Sequence, residues 1–331
     1  MTFAAILGVK DEVEIIGDSI AHLRRIGVEE IAVSDFGSTD GTLDVLAAEC
    51  RMGDVSLRHV DPDLVFDYES SSAHDIAQAQ RTRADWLLFL DADEFFIPAT
   101  GLLRDSRQLA DADVLVLDRF NVVTTASHLL MPVDLSPATY GSLRLFTRQV
   151  DDFRGFLDQR PDVPFISVRP GPKVLARREA AKAVAPGGHD VVSGGLPARR
   201  AAASDLIVAH VPFSTMERFE RKVVNIRAEM ARHPRLFEGG YAWHWRRWAE
   251  MSPAALEREF ALQLTEATRL AALIEEGVVR SAEELFASRL PATVVPRAGW
   301  TARWRRRLGL GRRAPALRRV DAEPPRPPVR V

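Results

Sequence analysis

An apolar run from Trp86 to Leu90 ends in three carboxylates broken by one small residue, Asp91-Ala92-Asp93-Glu94. The run reads as a buried strand, and ligands of α/β sheets gather where strands end. Two carboxylates two residues apart at such an edge can both reach a hard divalent cation, the usual partner of nucleotide phosphates. Two other predicted strand ends carry polar clusters: Lys10-Asp11-Glu12, and Asp35 with Ser38 to Thr42. Farther on, His189 follows Pro186-Gly187-Gly188, and His210 closes the apolar Leu206 to Ala209. Each has a plain structural reading too: an acidic turn, a helix cap, a packed histidine. The clusters gain meaning only if one fold brings them together.

The pattern of elements says that it does. Phe3 to Val9 is a continuous apolar run, as in a strand buried on both faces. Ile15 to Ile26 has helical spacing and ends at Gly27, where a C-cap belongs. Glu30 to Asp35 reads as a strand, Thr39 to Glu49 as a helix, Val55 to Val60 as a strand and His74 to Arg83 as a helix before the strand that ends in Asp91. Such alternation implies a mostly parallel α/β sheet, Rossmann-like, with helices on both faces. Its ligand crevice lies beyond the carboxyl ends of the strands, where the three clusters converge. After Asp93 come probable strands at Asp113–Leu117, Leu143–Arg148 and Leu206–His210, around a Pro-, Gly- and Arg-rich stretch from Phe153 to Gly195. Thr215 to Met230 and Pro253 to Gly277 read as helices, with the aromatic knot Tyr241–Trp248 between them.

Composition limits the alternatives. The 331 residues are 46% hydrophobic and 27% charged, as in an ordinary globular protein. The single cysteine, Cys50, rules out a disulfide framework and a Cys-based zinc site within one chain. The first ten residues read as a strand rather than a signal peptide, and no run reaches the roughly 18 apolar residues of a spanning helix, so a cytoplasmic location is expected. Eleven arginines against Asp321 and Glu323 give residues 297–331 a charge of +9, leaving −11 for residues 1–296. An acidic body with a basic tail is not the footprint of a nucleic-acid-binding domain. The tail, with Trp300 and Trp304, suits either weak peripheral contact with an anionic membrane or a solvated, partly disordered segment.

Several stations also resemble one family. Val9-Lys10-Asp11-Glu12 is similar to the Lys-Asn-Glu start of a branch of glycosyltransferases with the GT-A fold, with Asp11 in place of Asn. Asp35-Phe36-Gly37-Ser38-Thr39-Asp40-Gly41-Thr42 resembles the Asp-Asp-Gly-Ser-X-Asp-Gly-Thr signature of family 2, with Phe36 replacing the second Asp. Asp91-Ala92-Asp93-Glu94-Phe95 resembles the Asp-X-Asp-Glu-Phe form of a subgroup related to family 92. Lys173 with His189, then His210 with Phe219 and Lys222, are weaker matches.

The resemblance implies a GT-A-like domain over residues 1–225, with a nucleotide-sugar-binding half (1–100) and an acceptor half (101–225). A helical region (226–290) and the basic tail (291–331) would follow. It implies metal-dependent, inverting transfer of a sugar from a nucleotide-sugar, by default a UDP-sugar, to a hydroxyl of a cell-envelope glycan or lipid-linked glycan. Asp35 would hold the base or ribose, and Glu12 would approach the nucleotide or simply begin a helix. Asp93 would be the direct ligand of Mn²⁺ or Mg²⁺, with Asp91 reaching a water or the ribose and His210 or His189 completing the set. Glu94 would contact the acceptor or brace the loop. The catalytic base stays unassigned among Asp134, Asp151, Asp152, Asp158 and Asp162. A nucleotidyltransferase on a related sheet and a non-catalytic glycan- or nucleotide-binding scaffold are the alternatives.

Overall fold

The computed structural model describes residues 1–288, apart from 65–66, 195–196, 236 and 238–241. The tail from Arg297, with its membrane reading, and Tyr241 of the aromatic knot lie outside the described residues. The elements in chain order begin with β1 (Phe3–Val9), α1 (Ile16–Arg25), β2 (Glu30–Asp35), α2 (Thr42–Cys50), β3 (Val55–His59) and α3 (Tyr68–Ala79). There follow β4 (Trp86–Asp91), β5 (Glu94–Pro98), β6 (Val114–Asn121), β7 (Arg144–Phe146), α4 (Phe153–Gln159), β8 (Lys173–Arg177), β9 (Ala183–Val184), β10 (Val191–Val192) and β11 (Arg200–His210). The chain then becomes mainly helical: α5 (Met216–Arg232), α6 (Trp243–Ala249), α7 (Pro253–Gln263), α8 (Ala267–Glu275), β12 (Val279–Ser281) and α9 (Ala282–Ala287).

Eight strands form one sheet in the order β3-β2-β1-β4-β8-β6-β11-β5. β3, β2, β1 and β4 pair in parallel. β8 is antiparallel to both β4 and β6, β11 is parallel to β6, and β5 is antiparallel to β11. Six strands therefore run one way, and only β8 and β5 run back. The carboxyl ends of β1, β2, β4, β6 and β11 share one edge, where β5 and β8 begin. Alternate residues of β1 divide the core: Leu7 and Val9 pack with Ile16, Ile20 and Leu23 of α1 and Leu46 of α2, whereas Ala4 and Ile6 pack with Phe89 and Ala79 on the α3 side. Ile6 sits opposite Phe89, and Leu7 opposite Val33, as the apolar pattern requires. A third cluster, centred on Phe213, Phe219 and Trp248, holds the C-terminal helices together.

Three expected elements changed. The helix expected at His74–Arg83 begins at Tyr68, because Asp67 and Ser70 form a reciprocal capping box. The helix expected over Pro253–Gly277 is two helices, broken where the Thr265 amide leaves the helical ladder to donate to Thr124 O (2.8 Å). Glu94–Pro98, read as the tail of the acidic motif, is a buried edge strand. No helix among the described residues is long and apolar enough to cross a membrane.

Candidate functional site

Register brings the predicted residues together. Asp35 pairs with Val9 and Asp91 with Gly8, so the two carboxylates flank the end of β1. Two strand spacings, about 10 Å, separate them, a span that suits one nucleotide-sized crevice. Asn121 and His210 are partners at the ends of β6 and β11. Glu94 opens β5 and Lys173 opens β8 at the same edge.

The acidic turn is not uniformly open. Asp91 stands at the turn with its side chain 58% exposed and Lys173 Nζ at 3.7 Å. Burial pushes its carboxyl up, Lys173 opposes this, and Glu94 and Asp93 add to it. Asp93, expected at an exposed strand end, is 3% exposed instead. Its Oδ2 accepts from Arg218 Nη2 (2.8 Å) and Lys222 Nζ (2.6 Å). Against burial, which favours the neutral acid, Lys222, His210 and Arg218 hold this carboxyl well below the usual range. Glu94 is enclosed by Arg119 and Lys173 and accepts from the Asp91 amide (3.0 Å), so it braces the loop. Of the two aspartates, Asp91 is thus the open one and Asp93 the enclosed one.

Glu12 belongs to the same buried network. It accepts from Arg218 Nε (2.7 Å) and lies 3.0 Å from Lys222 Nζ. Arg218, Lys222 and Asn225 are spaced i, i+4 and i+7, one face of α5. That face docks on the loops after β1 and β4, with Asn225 Nδ2 donating to Asp11 Oδ2 (2.9 Å). Asp11, at φ 55°, also receives the Thr39 amide (2.6 Å) and is a tie between loops. Asp40 does similar work: it accepts from Thr42 and from the Val13 amide, and those bonds keep its pKa low against burial. Asp35 is 1% exposed and accepts from the amides of Gly37 (3.1 Å) and Ser38 (3.2 Å). Both of its oxygens therefore shape the turn that follows β2.

Both histidines have their pKa values lowered. Burial, then Arg119 and Lys173, hold His189 well below its usual pKa. For His210, burial outweighs the opposing pull of Asp93, and Arg119, Lys222 and Lys173 add to the depression. His189 Nδ1 is 2.7 Å from Pro172 O, and His210 Nδ1 is 2.7 Å from Asn121 Oδ1. Gly188 lets the His189 turn reach the sheet: its φ is +65°, and a Cβ there would stand 2.6 Å from Phe89 O.

Among the described residues, no three His, Cys, Asp or Glu side chains form a ready cluster for a metal ion. The donors fit a looser mode. Mg²⁺ keeps several waters and binds through one or two carboxylates plus substrate phosphates, not in an all-protein cage. Asp91 is exposed at the sheet edge, and Asp93 Oδ1 faces His210 Nε2 at 3.8 Å.

Several residues escaped the sequence reading: Arg119, Arg218 and Asn121, whose partners lie elsewhere in the chain, and Asp75. Asp75, on α3, has its carboxyl pushed up to about 7 by burial and by Asp91, with Lys173 opposing. Only its neighbourhood marks it; nothing in its local sequence does. The adjacent His74 ties α3 to β2, with Nε2 2.7 Å from Ser34 Oγ. Of the aromatic knot, Trp248 is buried against Phe165, Phe213 and Phe219, so packing is its role. Trp243 instead edges an open cleft of about 480 Å³ between α4 and α6, lined also by Arg154, Asp158, Arg246, Arg247 and Glu250.

No known family model matches the chain, and no curated protein matches it. Solved structures similar to it include S. aureus TarS 1–349, at 14% identity over 80% of this chain and 70% of that one, TM-score 0.36. The same TarS fragment in complex with UDP-GlcNAc is similar at 13% identity, covering 79% and 71%, TM-score 0.36. Glucosyl-3-phosphoglycerate synthase from Mycobacterium tuberculosis, in complex with Mn²⁺, UDP-glucose and phosphoglyceric acid, is similar at 15% identity, covering 70% and 80%, TM-score 0.32. These are distant likenesses.

Proposed function

We propose that the chain is a glycosyltransferase that moves a sugar from a nucleotide-sugar, by default a UDP-sugar, to an acceptor hydroxyl. The observation that supports this most is the open Asp91 at the shared strand edge, beside a turn shaped by Asp35 and above a cation-bound Asp93–Glu12 pair. Asp35 and the Gly37–Ser38 turn would receive the base or ribose, since a carboxylate accepts from a uracil N–H or from hydroxyls. Asp91, with Asp93 Oδ1 and His210 Nε2, would hold a divalent cation delivered with the diphosphate. When bound, Mn²⁺ or Mg²⁺ supplies Lewis-acid stabilisation of the charge that develops on the leaving diphosphate. Arg218 and Lys222 keep Asp93 ionised and in place, and Arg119 and Lys173 hold the loop through Glu94. Asp75, beside Asp91, joins the candidates for the base that takes the proton of the acceptor hydroxyl. We place an acceptor glycan of the cell envelope on the side of the α4–α6 cleft, where Trp243 offers a stacking face.

Titration with a panel of nucleotide-sugars, with and without Mn²⁺, followed by a donor-hydrolysis assay, tests the reading. Metal-dependent binding of UDP-sugars with slow hydrolysis is expected. Binding of nucleoside triphosphates with pyrophosphate release would make the protein a nucleotidyltransferase. Binding without turnover of any donor would make it a non-catalytic scaffold.

A further inference from the structure

Asn121 is fully buried at the end of β6, and its surroundings leave its side chain a single orientation. Its Nδ2 donates to Ile166 O (2.9 Å) and Val168 O (3.0 Å). Both are backbone carbonyls, which only accept, so both amide hydrogens are used and the nitrogen must face them. The amide oxygen therefore faces the other way, to His210 Nδ1 at 2.7 Å. Amide oxygens only accept as well. The proton between Asn121 and His210 must then sit on Nδ1.

The other ring nitrogen, Nε2, faces Asp93 and makes no hydrogen bond among the described residues, as a bare lone pair would. The distance on that side agrees. Nε2 stands 3.8 Å from Asp93 Oδ1, beyond hydrogen-bond length, whereas an imidazolium N–H facing a carboxylate closes to about 2.8 Å. Asp93 has turned its other oxygen to Arg218 and Lys222. We infer that Asn121 is a positioning residue that locks His210 as its Nδ1–H tautomer and so presents the Nε2 lone pair toward Asp93 at the acidic turn.

The lock is anchored in the C-terminal helices. The Ile166 amide is itself tied to α7: it donates to Gln263 Oε1 (3.0 Å), and Gln263 Nε2 donates to Glu259 Oε1 (3.1 Å). Glu259 Oε1 also receives Trp248 Nε1 (3.0 Å). A buried chain of hydrogen bonds thus runs from α6 and α7, through the 165–167 turn and Asn121, to His210. The side chain at the strand end is held from a part of the molecule remote in sequence. The inference concerns the proton on His210 and stands whether or not the proposed sugar transfer is correct.

The test is a long-range ¹H–¹⁵N correlation spectrum of the full chain with ¹⁵N-labelled histidine rings, at neutral pH and without added metal. The His210 signals are assigned by their loss in His210→Asn. A protonated Nδ1 and a bare Nε2 are expected for His210. In Asn121→Ala the ratio should move toward Nε2–H, the form neutral imidazole prefers in water, by on the order of tenfold, the equivalent of one hydrogen bond. A wild-type His210 that carries its proton on Nε2, or on both nitrogens, overturns the inference, and that spectrum decides it even if Asn121→Ala does not fold. A folded Asn121→Ala protein with an unchanged pattern overturns it equally.

Discussion

Replacing Asp93 with Asn tests whether the acidic turn is divided between an open carboxylate and a buried one. The substitution keeps the shape of the side chain and removes one negative charge from a site where Asp93 is 3% and Arg218 1% exposed. In the wild type, two cations face two anions: Arg218 and Lys222 each contact both Asp93 and Glu12. Afterwards Glu12 alone balances them. Removing one partner of a buried pair costs about 3–5 kcal/mol, because the remaining charge has lost its solvation and its counter-ion. For a domain of this size each kcal/mol lowers Tm by roughly 2–4 °C, so a fall of about 10 °C is expected. Asp91→Asn removes the same charge two residues away, from a side chain 58% exposed. Its effect on stability should stay within about 1 kcal/mol, while metal-dependent donor hydrolysis is lost. Thermal melts followed by circular dichroism, with urea titrations in parallel, measure both. Equal melting temperatures for Asp93→Asn and wild type, or an equal loss in Asp91→Asn, would falsify the division of roles.

Stability should fall steeply as the pH drops from 7 to 5. Burial lowers the pKa of His22 to about 4 and of His244 to about 3, and holds His189 and His210 well below 6.5. Histidines with depressed folded values stabilise the protein above the unfolded pKa and cease to do so below it. Asp75 and Asp91, whose values are raised, act in the opposite sense over this range. The unfolded chain then binds about two more protons than the folded one, roughly 2.7 kcal/mol per pH unit near pH 5, measurable by urea unfolding across the range. A flat profile would show that these imidazoles are not held neutral. Trp248→Ala, which empties the centre of the C-terminal cluster and leaves Glu259 without an indole N–H, should cost about 3–5 kcal/mol in the same assay. Asp35→Ala should weaken UDP-sugar binding by roughly tenfold or more through loss of a charged acceptor, with less effect on the chemical step; calorimetric titration giving an unchanged Kd would remove Asp35 from donor binding.

Much of this protein follows from local sequence. Phe3–Val9 and Trp86–Leu90 are continuous apolar runs, as strands buried on both faces require, and with Glu30–Asp35 and Val55–His59 between them the spacing leaves room for one helix in each crossover. From that alternation the parallel half of the sheet, its edge and the meeting of Asp35 with Asp91 are already determined, because strand direction and period dictate register. The polar residues around Thr42 and the cap at Thr215 are equally local, since a helix start is signalled by the side chains beside it.

Charge pairing across the molecule is another matter. Asp91 and Asp93 are chemically identical and two residues apart, and only the docking of α5, more than a hundred residues later, makes one a bound counter-ion and leaves the other open. Asp75 has no sequence mark because its raised pKa comes from burial and from Asp91 in another element. The reversal of β8 and β5 within the sheet, and the fixing of His210 through Asn121, Ile166 and Gln263, likewise depend on partners far away in the chain. A sequence specifies which groups exist and which faces they occupy. Which of them lose water and which find a partner is set by packing, because desolvation and Coulomb energy depend on distances that only the folded chain creates.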